Sequence, residues 1–138
     1  MKTTKAVLIQ AFIDNFILKH RRERVAIQLG DSQKRNGFTA LLNHQWDNVL
    51  DIRKLTPLPK VPDDYLFVKQ QLGIDNNEPC YMLSDHSDWD DRFMPFESAF
   101  NECHGRLFGT LIIMQQGTKL YLETEEPGHL NRFTGKIP

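Results

Sequence analysis

Cysteine is scarce: Cys80 and Cys103 are the two in 138 residues. Two thiols cannot build the disulfide framework that props up small secreted domains, so an ordinary apolar core must hold the fold. Long apolar runs are missing as well; none approaches the roughly 18 residues a membrane-spanning helix needs. An export signal is not expected, because Gln10, Asp14 and Asn15 interrupt the apolar stretch near the N-terminus and no small-x-small cleavage site follows. These absences predict a soluble, cytoplasmic chain with reduced thiols and no membrane partner. Internal repeats and low-complexity segments are absent. So are the short motifs with a fixed mechanism: there is no G-x-S-x-G, no P-loop, no H-E-x-x-H and no G-x-G-x-x-G. No cofactor is implied, and the pattern leaves open whether the chain is an enzyme.

What is present has an ordinary globular composition, 40% hydrophobic, 25% charged and 10% aromatic. A chain of this length buries roughly two-thirds of its unfolded surface, enough for a core without metals. It fits a single domain over 1–138, with a helical half at about 1–56 and an α/β half at about 62–138.

In the first half, Leu8, Ile9, Phe12, Ile13, Phe16 and Ile17 recur in adjacent pairs every four residues, the spacing of one wide helical stripe. With Thr4 as N-cap and Gly30 as stop, this predicts a helix over 5–29. Phe38, Leu41, Leu42, Trp46, Val49 and Leu50 predict a second helix over about 38–54, weakened at its front by Gly37. Residues 55–62 read as an extended linker, because Pro57, Pro59 and Pro62 push the residues before them out of the α region. Pro62 and Asp63 then open a short helix that Gly73 closes.

Beyond residue 75 the period changes. Residues 80–83 read as a short strand, 85–94 as a polar loop, and Pro95 starts a short helix with Phe96, Ala99, Phe100 and Cys103 on one face. Residues 107–114 are nearly all apolar, as in a strand covered on both faces. Lys119 to Glu123 alternate, which turns Leu120 and Leu122 inward, and 131–136 form a candidate edge strand after a Pro127-Gly128 turn. Helices first and strands later give an α+β class: N-terminal helices packed on a small, mainly antiparallel C-terminal sheet. Phe12, Phe16, Leu41, Ile112 and Leu122 are its expected core.

Charge is split. Residues 1–60 hold 11 Lys/Arg against 5 Asp/Glu, and residues 61–138 hold 6 against 13. Either the two halves neutralise each other across the fold, or a basic face meets an anionic partner. The basic candidates are Lys19, Arg21, Arg22, Arg24, Lys34 and Arg35, which could grip nucleic-acid phosphates through charge alone.

The opposite cluster is Asp85, His86, Asp88, Asp90 and Asp91. Hard oxygen ligands suit Ca²⁺ or Mg²⁺, and an imidazole shifts the preference toward Mn²⁺ or Zn²⁺. Its spacing is not that of an EF-hand, and a solvated loop with Trp89 packed inward accounts for the same residues. Cys80, Cys103 and His104 lack a C-x-x-C signature and read as buried small hydrophobes beside one histidine. The acids of 123–126, with His129 and Arg132, resemble an acid/base cluster only loosely.

With no catalytic constellation of discriminating spacing, the expected function is a non-catalytic binding or regulatory module. Its partner would be a protein or a second copy of the chain, with nucleic acid as the next choice. The alternative is a metal-dependent hydrolase or nuclease built on the loop 85–91.

Overall fold

Thr4 stands where an N-cap is needed, and in the computed structural model its hydroxyl accepts the Val7 N–H (3.2 Å) at the head of helix α1, Lys5–Phe16. The structure describes residues 4–125 and 131–138; the expected turn at Pro127-Gly128, with Glu126 and His129, lies outside them. The apolar stripe is buried as its period predicts, with Leu8, Ile9, Phe12, Ile13 and Phe16 inward.

The helix does not run on to residue 29. At Ile17 the chain turns extended and forms an isolated antiparallel bridge with Leu50. The Leu18 N–H donates to the Val49 carbonyl (2.9 Å), and the Asp51 N–H donates to that of Phe16 (2.8 Å). Backbone bonds to a segment thirty residues away therefore override the helical period. A 3-10 turn at Lys19–Arg21 leads into α2, Arg22–Leu29.

The second expected helix is also broken, into α3, Arg35–Thr39, and α4, Leu41–His44, followed by 3-10 turns at Trp46–Asn48 and Ile52–Lys54. Asn43, His44, Asp47 and Asn48 are weak helix formers, and their region gains more from outside partners than from its own ladder.

The sheet contains β1 (Leu55–Pro57), β2 (Pro79–Ser84), β3 (Arg92–Pro95), β4 (Thr110–Met114), β5 (Lys119–Glu123) and β6 (Arg132–Lys136). Its strand order is β1-β6-β5-β4-β2-β3, and every neighbouring pair is antiparallel. Three expectations are corrected here. The start of the presumed linker is strand β1. The end of the polar loop is strand β3. The segment 132–136 lies inside the sheet rather than at its edge, because β1 pairs beyond it.

The α+β architecture is as expected, with one addition. The N-terminal helices cover one face, packing on Tyr81, Leu83, Leu111, Ile113, Leu120 and Leu122. Helices α5 (Asp64–Leu72) and α6 (Phe96–Cys103) cover the other, over Cys80, Met82, Ile112, Met114 and Tyr121. Helix α5 is punctuated as the sequence suggests: Asp63 accepts the Leu66 N–H (3.0 Å), and Gly73 is left-handed.

Phe12, Phe16, Ile112 and Leu122 are fully buried, whereas Leu41 is only half-buried and Leu42 takes the enclosed position. Among the described residues no helix is long and apolar enough to cross a membrane.

Candidate functional site

Because side chains alternate along strands, Ser84, Thr110 and Glu123 fall on the α5/α6 face at one end of the sheet. They stand opposite one another on three adjacent strands, and all are buried. Ser84 Oγ and Thr110 Oγ1 satisfy each other at 2.7 Å. Glu123 is 0% exposed. A buried carboxylate needs several donors to be tolerated. Oε1 accepts the Tyr121 hydroxyl (2.9 Å) and the Gly105 N–H (3.2 Å), and Oε2 accepts the Leu107 N–H (3.2 Å).

Those last two donors belong to the connection between α6 and β4. Gly105 and Leu107 both have positive φ, +78° and +61°. A left-handed conformation costs a leucine roughly 1–2 kcal/mol, and here the buried carboxylate holds it. The consequence is that Leu107 and its neighbour Phe108 stand at the surface, each 41% exposed.

A second clamp fixes the other end of this connection. Asn43 Oδ1 accepts the Gly109 N–H (2.7 Å), while its Nδ2 donates to Asp85 (2.7 Å). Gly109 has no alternative: a Cβ there would lie 2.4 Å from the Leu42 carbonyl carbon. The loop 85–91 closes the surface. His86 stacks on Trp89 (4.2 Å between centroids), and Phe108 meets the His86 ring edge-on at 4.8 Å. Trp89 is buried and Phe108 is not. The result is a preformed apolar surface whose backbone is tied from three sides, rimmed by exposed Asp85, Asp88, Arg106 and Glu125.

The acidic loop itself does not gather its carboxylates. Asp85 turns to Asn43, and Asp90 takes the Arg35 fork (2.9 and 3.0 Å) with the Ser84 N–H. Asp91 takes the Tyr81 hydroxyl (2.7 Å) and Lys5 (3.1 Å). Asp88 is exposed, and its N–H donates to His86 Nδ1 (3.2 Å). Among the described residues no three His, Cys, Asp or Glu side chains are placed to hold a metal ion. Burial acts to raise the Asp91 carboxyl, but the bonds from Tyr81 and Lys5 and the nearby Arg35 charge hold it below the usual carboxylate range.

The basic cluster divides. Arg35 is buried against Asp90, so it belongs to the fold rather than to an anion-binding face. Arg35→Ala is expected to cost about 2–3 kcal/mol, since it strands a half-buried carboxylate. Removing Asp90 as well should recover part of that loss; strict additivity in urea denaturation would mean the two groups are not coupled. Arg22 donates to the Ile17 carbonyl (3.0 Å). Lys19, Arg21, Arg24 and Lys34 make no side-chain hydrogen bond or ion pair among the described residues.

Both thiols are buried and unbridged. Burial, reinforced by Glu78, pushes Cys80 up to about 12, and burial with Glu123 raises Cys103 strongly, so neither is a poised nucleophile. His104 meets Asp64 (3.0 Å) and Arg132 (2.7 Å).

Leu107 and Phe108 escape a sequence reading because they extend an apolar strand pattern; the preceding Gly105 is the one local sign of a turn. Compared with known proteins, the chain matches no family model, no curated protein and no solved structure.

Proposed function

We propose that the chain is a non-catalytic binding module that takes a protein partner on the Leu107/Phe108 surface. The observation that carries this reading is the clamp: a fully buried carboxylate holds a left-handed leucine so that two large apolar side chains face solvent. Preorganised apolar anchors act as hot spots, because little ordering entropy is lost when the partner arrives. The rim holds three acids, Asp85, Asp88 and Glu125, against Arg106. That balance favours a partner whose apolar anchor is flanked by Lys or Arg. No nucleophile with an adjacent base accompanies the surface among the described residues, which favours binding over catalysis.

The test is selection of random peptides displayed on phage against the purified chain, with counter-selection on the Leu107→Ser/Phe108→Ser variant. Phe108 packs on the rings of His86 and Trp89, so the variant should melt modestly lower while keeping a cooperative transition that shows it folded. Enriched peptides should carry an aromatic or aliphatic anchor beside basic residues and should lose binding to the variant. Peptides that bind wild type and variant equally would overturn the assignment. Sedimentation at rising concentration separates a second copy from a foreign partner: self-association abolished by the same variant would make the chain its own ligand.

A further inference from the structure

The N-terminal half carries an excess of cations, and the fold neutralises only part of it. Lys5 and Arg35 pair with Asp91 and Asp90 across the halves. Among the described residues, Lys19, Arg21, Arg24 and Lys34 have no carboxylate within ion-pair distance, and the buried Arg21 Nε has no hydrogen-bond partner. Three of these elements meet at one concavity. The 3-10 turn at Lys19–Arg21, the outer face of α2 and the start of α3 enclose an open groove of about 660 Å³.

The lining holds one carboxylate, Glu23, and side chains of three other chemical kinds. Arg24 and Lys34 supply positive charge along the walls, which the His20 ring also lines. Gln28 and Asn36 supply primary amides, each able to donate and accept at once. Ile27, 53% exposed on α2, supplies an aliphatic surface. Cations suit phosphates, amides suit the edges of nucleobases, and an exposed aliphatic side chain suits a sugar or base face. Gly37 makes room for the amide: a Cβ there would lie 2.8 Å from Gln28 Nε2.

We propose that this groove binds single-stranded nucleic acid, with phosphates on Arg24 and Lys34, flanking phosphates on Lys19 and Arg21, and base edges at Gln28 and Asn36. A concave site suits a strand that can splay its bases into it, whereas a planar bilayer meets protruding residues and would leave the amides idle. The proposal is independent of the Leu107/Phe108 surface and survives if that reading fails.

The experiment is fluorescence anisotropy with short labelled oligouridylate and oligothymidylate, titrated with the whole chain between about 50 and 200 mM salt. Affinity should fall with salt by about 0.7 in log–log slope for each phosphate neutralised. Arg24→Ala with Lys34→Ala should weaken binding by roughly tenfold or more and flatten the slope by about 1.4. Glu23→Gln removes the lining's carboxylate and should strengthen binding. Gly37→Ala changes no charge; it adds a methyl group where Gln28 lies, and it should weaken binding severalfold at unchanged slope. Alanine is the better helix former, so the melting temperature of that variant should stay level or rise.

No saturable signal at the lowest salt overturns the proposal. So does binding that responds equally to Arg24→Ala and to Lys60→Ala, an exposed cation outside the lining, while ignoring Gly37→Ala, since that marks diffuse charge rather than a groove. Binding to anionic phosphatidylserine vesicles without binding to either oligonucleotide assigns the cations to a membrane surface and overturns it as well.

Discussion

Phe16→Ala should lower the free energy of unfolding by about 3–5 kcal/mol, the range for truncating a fully buried aromatic residue. The side chain is 0% exposed and packs beside Phe12, with ring centroids 6.2 Å apart. On its other side it reaches the sheet: a Cβ on Gly135 would lie 3.0 Å from Phe16 Cε1, so the ring occupies the space that a side chain on β6 would otherwise fill. Truncation leaves a hole between helix and sheet that neither wall can close. Strand β6 is held by β1 and β5 on its two sides. The end of α1 is held by the Asp51 N–H on the Phe16 carbonyl. Urea denaturation should show a lower midpoint with an unchanged slope. An unchanged midpoint would place the ring outside the core and assign the stripe to an interface instead.

The stripe containing Phe16 was legible because its period is internal to the segment. The same holds for Asp63 to Gly73, where a cap and a stop bracket the helix, and for Pro95 to Cys103, where a proline start and an apolar face agree within ten or so residues. Where the structure departs from the pattern, the deciding partner lies far along the chain. Ile17 leaves the helix for backbone bonds at 49–51, and β1 exists only because residues 133–135 offer a ladder. Strand β3 is four residues of mostly exposed side chains, too short to alternate visibly. Tyr121 illustrates the same limit in one residue. Alternation along β5 makes it an outward position, and it is buried because α6 lies over that face.

Glu123 follows from Tyr121 and was missed with it. In the sequence the acids of 123–126 resemble an acid/base cluster only loosely, yet the first of them lies two residues from Tyr121 on the same covered face. The amphipathic period of 96–103 was the available signal. A helix with Phe96, Ala99, Phe100 and Cys103 on one side must bury that side, and the second face of the sheet is where it does so. From that step a charge at position 123 has to find donors inside the protein.

Glu123→Ala is therefore expected to cost about 3–5 kcal/mol, the range for removing a buried charged partner and leaving its donors unsatisfied. Three donors are affected, the Tyr121 hydroxyl and the N–H groups of Gly105 and Leu107. Water can reach the loop amides once the loop loosens, so the lasting cost falls on Tyr121, which is fully buried. Glu123→Gln should cost less, about 2–3 kcal/mol, because it keeps one acceptor and sets an NH₂ against an N–H donor. Tyr121→Phe removes a single donor and leaves the carboxylate its two amides, for about 1–2 kcal/mol. The order Ala, then Gln, then Tyr121→Phe separates the clamp from simple loss of packing, since the glutamine is nearly the same size as the glutamate. Amide hydrogen exchange supplies the link to function. Protection at Leu107 should collapse in both Glu123 variants and persist in Tyr121→Phe, and peptides selected on the wild-type surface should lose affinity in the same order. If Glu123→Gln left stability, exchange and peptide binding unchanged, the left-handed turn at Leu107 would be holding itself and the buried carboxylate would have no part in presenting Phe108.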